Sequence, residues 1–355
     1  MMSAINKLRG SFGTLGADAA LIFDPFNQQY LSGFPFTDGF LFITKNEAFL
    51  VTDFRYTEAA EQKAYSDFSV VAPEDKLSWL KEKISFYGVK TVGLEGNFLP
   101  FSVYESYESK LPGVAFCDIA DTVETIRQIK TPEEIQKMQR AQDITDAAFS
   151  HILTVLTPNM TETEVAAELE YFMRKNGASG LAFDTIAVSG DGSSRPHGVP
   201  RHEKLKNGFL TMDFGASFEG YCSDMTRTVV IGKASDEMKN VYTTVLKAQT
   251  SVLFMLKAGV DAGEADKVAR DIIDGIYPGT FGHGLGHSVG LFIHEAPAMN
   301  KRAFGRKLRA GEIVTVEPGI YLPGRFGCRI EDMVLIRDDT IHNFTASKKE
   351  LIEIG

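Results

Sequence analysis

Short apolar runs alternate with polar stretches of helical length along the first third of the chain. The runs at 17–24 (ADAALIFD), 39–44, 48–52, 68–71, 91–95 and 114–119 predict strands, and residues 55–64, 76–87 and 101–110 predict helices. A Lys45-Asn46-Glu47 step between two apolar runs predicts a hairpin, so the sheet is expected to be mixed. Beyond this region the apolar period lengthens. Thr131 and Glu134 form a capping box with Pro132 at the first helical position, where its missing N–H costs nothing. Thr161 and Glu164 open a second helix that Asn176-Gly177 should close, and residues 235–257 predict a third. The pattern predicts an α/β (α+β) protein with a mixed α/β domain over 1–123 and a second domain, helices flanking strands, over 124–355. No repeat with a period of roughly 20–50 residues interrupts it.

Composition narrows the function. With 44% hydrophobic and 24% charged residues the chain is an ordinary globular sequence. Thirty-seven Lys plus Arg against 47 Asp plus Glu leave a charge of −10, which opposes nucleic acid as a partner. The start, MMSAINKLRGSF, has no basic flank leading into a long apolar run, and no stretch approaches the ~20 apolar residues of a membrane span, so no membrane partner and a cytoplasmic location are expected. Cys117, Cys222 and Cys328 are too few and too scattered for a disulfide framework or a thiolate site, and are expected to be reduced and mostly buried.

Candidate chemistry lies in the second domain. In MDFGASFEGYCSDMTRTVVIG, a hairpin turning between residues 218 and 219 would set Asp213 and Asp224 opposite each other, with Cβ atoms about 4.5–5.5 Å apart. Two carboxylates that close repel unless a cation lies between them or solvent screens them. The stretch HGLGHSVGLFIHE then brings His283, His287 and His294, three of the seven histidines, onto irregular Gly-rich backbone. In EIVTVEPGIYLPGRFGCRIEDMVLI, a strand pair about Pro323-Gly324 would carry Glu317 on its first strand and Glu331 on its second. A carboxylate interrupting an apolar strand is costly without a partner. Four carboxylates with histidine suit two divalent ions such as manganese, cobalt, iron or zinc, whereas calcium would not need the imidazoles. The residues thus point to a dinuclear metal hydrolase.

The ordered set Asp213, Asp224, His287, Glu317 and Glu331, in the contexts DFGASFEGYCSDMTRT, GHGLGHSVG, VEPGIY and RIED, resembles the pita-bread metallopeptidases, in the branch of aminopeptidase P and prolidase. IRQIKTPEEI is similar to that family's interdomain entry, and YLSGF at 30–34 with VTDFRY at 51–56 is similar to its creatinase-like N-terminal domain. The resemblance implies that Asp213 chelates one metal, that Asp224 and Glu331 bridge two, and that His287 and Glu317 complete the second. It implies hydrolysis of an N-terminal Xaa-Pro bond by a metal-activated hydroxide, with Glu317 moving the proton and His197 and His294 holding substrate and intermediate. Arg329 would orient the carboxylates, Tyr221 is a candidate supporting hydroxyl, His283 matches a histidine near the site, and Cys222 and Cys328 are expected to pack. Two positions depart from the family: Phe292 replaces an acidic or small polar residue, and Ala298 stands where some prolidases have an arginine for the dipeptide carboxylate. Arg302 or Arg306 could replace that arginine. Aminopeptidase P is the first choice, prolidase the alternative, and a non-catalytic binding protein is disfavoured by intact His197, His294 and Glu317. The implied partners are small peptides with proline second, and a second copy of the chain in a homodimer. Manganese is the metal the resemblance favours.

Overall fold

The Thr131 capping box forms as its sequence predicts, opening a helix of 24 residues, in the computed structural model, which describes residues 3–355. Contacts divide the chain into one unit ending at Arg127 and a second, Gln128–Gly355.

In the first unit, helices α1 (Ala4–Leu15), α2 (Pro25–Ser32), α3 (Phe54–Lys63), α4 (Lys76–Tyr87), α5 (Phe101–Lys110) and α6 (Ala120–Arg127) accompany one six-stranded sheet. Its strands are β1 (Ala19–Ile22), β2 (Phe40–Thr44), β3 (Ala48–Val51), β4 (Ser69–Val71), β5 (Thr91–Leu94) and β6 (Ala115–Asp118), in the order β4-β3-β2-β1-β5-β6. β2 pairs antiparallel with β1 and β3 while the outer pairings are parallel, so the sheet is mixed and the hairpin at 45–47 forms. Leu21, Phe42, Val92 and Leu80 meet in its core, each such burial worth about 1.5–3 kcal/mol.

The second unit twice lays a helix pair on a sheet. α7 (Pro132–Val155) and α8 (Glu162–Lys175) cover a sheet of order β20-β12-β9-β8, built from β8 (Ile186–Ser189), β9 (Gly208–Phe214), β12 (Met225–Ile231) and β20 (Glu353–Ile354). α9 (Asp236–Met255) and α10 (Ala262–Asp274) cover a sheet of order β14-β13-β15-β18-β19, built from β13 (Gly286–Ser288), β14 (Glu295–Met299), β15 (Ile313–Val316), β18 (Asp332–Ile336) and β19 (Ile341–Asn343). Side-chain caps start all four helices, from Thr131, Thr161, Ser235 and Asp261. β7 (Gly180–Leu181), β10 (Ala216–Phe218) and β11 (Tyr221–Cys222) form a small sheet, and β16 (Gly319–Leu322) with β17 (Phe326–Arg329) a hairpin. Among the described residues, no helix is long and apolar enough to cross a membrane. Cys222 and Cys328 are buried and Cys117 is half-buried, and none of the three forms a disulfide.

Two registers differ from the sequence expectation. The first hairpin turns at Glu219-Gly220, both at positive φ (50° and 86°), as a two-residue primed turn demands. The turn therefore lies one residue later than expected, and Asp213 pairs with Thr226 rather than with Asp224. A slip of two positions preserves the face, so both aspartates still point the same way. In the second hairpin Glu317 and Glu331 lie in breaks between strands, not within them: Pro318 has no N–H for the ladder, so pairing stops at Val316 opposite Asp332 and resumes at Gly319 opposite Arg329.

Candidate metal centre

The strand breaks are what aim the carboxylates. Asp224 lies between β11 and β12, Glu317 between β15 and β16, and Glu331 between β17 and β18, while Asp213 sits one residue from the end of β9. At the first break, Gly215 passes so close to the Ser223 carbonyl that a Cβ would lie 1.9 Å from its oxygen.

The four carboxylates meet His287 in a cavity of about 490 Å³ that His197, His283, His294 and Arg329 also line. Ligand atoms of Asp224, His287 and Glu331 all lie within 4.8 Å of one another. His287 Nδ1 stands 3.1 Å from the Ser288 carbonyl and donates to it, which leaves the Nε2 lone pair facing Asp224 Oδ2 at 3.6 Å and Glu317 Oε1 at 3.5 Å. These are ion-pair distances, but burial, reinforced by His294, holds the His287 imidazole down to about 4 and therefore neutral.

Charge balance shows what is needed here. Burial raises the Asp224 carboxyl well above its ordinary range, and Glu331, Asp213 and Glu317 raise it further by repulsion. Glu331 is raised in the same way by burial, then by Glu317 and Asp213. Glu317 is pushed up to about 8, again chiefly by burial. The buried Asp213 Oδ1 and Glu331 Oε1 have no hydrogen-bond partner. Unsatisfied oxygens beside an imidazole lone pair are a donor set for hard to borderline divalent cations, so the residues present fit the implied metals.

Supporting contacts orient these carboxylates. Arg329, buried, donates from Nη2 to Asp213 Oδ2 (2.5 Å), from Nε to Thr226 Oγ1 (2.9 Å) and from Nη1 to the Tyr321 hydroxyl (2.8 Å). Thr226 in turn donates to Glu331 Oε2 at 2.6 Å, leaving Oε1 for the cavity. Thr226 and Tyr321 were not singled out in the sequence. Thr226 lies two residues after Asp224, and that same-face spacing was the available signal. His283 donates from Nδ1 to the Gly284 carbonyl and accepts at Nε2 from Tyr321, 2.9 Å away, while burial holds it near 3 and neutral. His197 and His294 stand exposed on the cavity wall, the His294 ring 4.4 Å from that of His287.

Several expected contributors lie elsewhere. The Tyr221 hydroxyl donates to Glu134, the capping-box glutamate of α7, and so supports that helix start. Arg306 is held by Glu312 and Gln128. Ala298 lines the cavity, and among the described residues neither Arg302 nor Arg306 does. Phe292 is half exposed, with its ring 6.2 Å from His294.

Comparison with known proteins places the chain in a family. Residues 136–338 match the model of metallopeptidase family M24, and residues 5–129 match that of the creatinase/prolidase N-terminal domain. The chain is 36% identical over 356 residues to a Xaa-Pro dipeptidase of Pyrococcus furiosus, covering 99% of this chain and 100% of that one. Among solved structures, a Xaa-Pro dipeptidase from Bacillus anthracis superimposes with a TM-score of 0.95 at 40% identity, covering 99% of each chain. An X-Pro aminopeptidase from Thermotoga maritima superimposes with a TM-score of 0.91 at 38% identity, covering 97% of this chain and 100% of that one. The architecture is a creatinase-like N-terminal domain followed by a pita-bread catalytic domain, and the chain belongs to metallopeptidase family M24, a family of peptidases dependent on divalent metal ions.

Proposed function

We propose that the protein is a Xaa-Pro dipeptidase that uses two divalent ions held by Asp213, Asp224, His287, Glu317 and Glu331. The observation that carries this reading is the convergence of four carboxylates and one neutral imidazole on one cavity, with two buried carboxylate oxygens unpartnered. The dipeptidase takes precedence over the aminopeptidase P preferred from sequence because relatives named Xaa-Pro dipeptidases match the chain over nearly its full length.

When bound, the ions supply a water of lowered pKa and a positive field for the developing oxyanion. The chain's own groups do the rest. The scissile nitrogen, here that of proline, leaves as an amine only if a proton is delivered to it. Glu317, which lines the cavity, takes the proton of the attacking water and returns it to that nitrogen. His197 and His294 face the cavity and hold the substrate carbonyl. Arg329 keeps one Asp213 oxygen occupied and so leaves the other to the cavity. Oxygen donors with a single imidazole suit manganese, the ion proposed as resident. We carry a homodimer as part of the same proposal.

The test is release of the N-terminal residue from a Xaa-Pro dipeptide, a Xaa-Pro-Xaa tripeptide and the dipeptide amide by manganese-loaded protein. A higher kcat/KM for the free dipeptide supports the dipeptidase. Preference for the tripeptide restores aminopeptidase P, and no cleavage of any of them with metal bound overturns both.

A further inference from the structure

His287 and His294 stand at the two ends of one loop, and the residues immediately after them, Ser288 and Glu295, face each other across β13 and β14. The register shifts between His287 and Ser288, so the regular ladder alone does not fix how the two imidazoles are spaced. Lys130, two residues before the start of α7, reaches both neighbours. Its Nζ donates to Glu295 Oε2 at 3.1 Å and to Ser288 Oγ at 3.3 Å, with the lysine side chain 1% exposed and that of the glutamate 7%. Ser288 Oγ donates its own hydrogen bond to the Ile313 carbonyl at 2.7 Å, which anchors the assembly to β15.

The second Glu295 oxygen accepts from the Phe292 backbone N–H at 3.1 Å, inside the loop. The carboxylate also fills the space above Gly290, where a Cβ would lie 2.5 Å from Oε2. A buried carboxylate therefore plugs the loop, and a buried ammonium holds that plug in place. Such a pair adds little net stability compared with apolar residues of equal volume, but it fixes geometry, because either charge alone is costly.

We propose that the buried Lys130–Glu295 pair is a positioning device for the reaction, setting the loop Val289–His294 so that His294 faces the cavity beside His287. This rests on the peptidase reading for its catalytic consequence, but not for its structural one. Misplacement of a group by about 1 Å costs up to ~10²-fold in rate even when its cause is remote from the chemistry.

The test compares Lys130→Met, Lys130→Arg and the double variant Lys130→Met/Glu295→Gln, which carries no unpaired charge and so folds where the single variant fails. The readouts are bound manganese, kcat and KM on a Xaa-Pro dipeptide, and amide hydrogen exchange of the peptide spanning 288–295. The double variant is expected to bind manganese as the parent does, to lose about 10- to 100-fold in kcat with KM within about 3-fold, and to exchange faster in 288–295 than elsewhere. Lys130→Arg, which keeps the charge, is expected to restore more than half of the lost rate. Parental kcat and parental exchange in the double variant overturn the proposal, as does loss spread evenly over the second unit. If the parent cleaves no Xaa-Pro peptide, the function reading fails alone, and exchange in 288–295 still decides the positioning role.

Discussion

Arg329 and Asp213, 116 residues apart in sequence, share a hydrogen bond of 2.5 Å between buried or nearly buried side chains. The guanidinium occupies one carboxylate oxygen and, through Thr226, reaches the Glu331 carboxylate as well. One planar group therefore sets the orientation of two proposed metal ligands from opposite hairpins.

Arg329→Lys keeps the charge and loses the fork. It is expected to weaken metal binding about 10- to 100-fold and to lower kcat/KM by a similar factor. Calorimetric titration of the chelated protein with manganese measures the first effect, and unchanged affinity would refute the role given to Arg329.

Asp224 is destabilised in its charged form by burial and by three other carboxylates. Asp224→Asn should abolish binding of at least one ion and yet make the metal-free protein more stable, by on the order of 1 kcal/mol, or about 2–4 °C in Tm. Thermal unfolding of chelated parent and variant decides the sign.

The metal-free protein should lose stability as pH rises above about 6.5. Glu317 has a folded value of about 8, and Asp224 and Glu331 are raised too, so the folded state holds these protons more tightly than the unfolded chain. Stability from a raised carboxyl is complete below its unfolded pKa of about 4.3 and is lost as pH passes its folded value. His283 and His287, held near 3 and 4, act in the opposite sense, but only below about 6.5. The expectation is a fall of at least about 5 °C in Tm between pH 6.5 and 8.5, flattened by added manganese. A Tm that rises over this range without metal would show that the carboxylates are paired in some other way.

His294 lines the cavity but lies outside the cluster of Asp224, His287 and Glu331. His294→Ala is expected to keep the parent's metal content and lose about 10²-fold or more in kcat. Metal analysis beside steady-state kinetics separates this from a ligand, whose removal would lower both.

How far the sequence could be read depended on how local each signal was. Capping boxes at Thr131 and Thr161 are encoded within four residues, and both helices begin where expected. The helices at 76–87 and 101–110 match to the residue. By contrast, α1 carries Gly10 and Gly13 inside it and has no side-chain cap, so its pattern is weak. α2 does have a start signal, Asp24 with Pro25, but the apolar run before it absorbed Asp24 into the expected strand. For the site, residue identity in short contexts led to Asp213, Asp224, His287, Glu317 and Glu331, which the fold brings together. Register was harder, because it hung on whether Glu219 would accept positive φ. The Lys130–Glu295 contact spans 165 residues, and no local pattern marks it.

The most direct measurement is release of proline from a Xaa-Pro dipeptide by chelator-treated protein as manganese is titrated back, with bound ion counted in parallel. Activity should be absent at the start and return with the bound ion, levelling off near about two ions per chain. Full hydrolysis with the ion removed, or two bound ions with no proline released, would contradict the proposed metal-dependent Xaa-Pro peptidase.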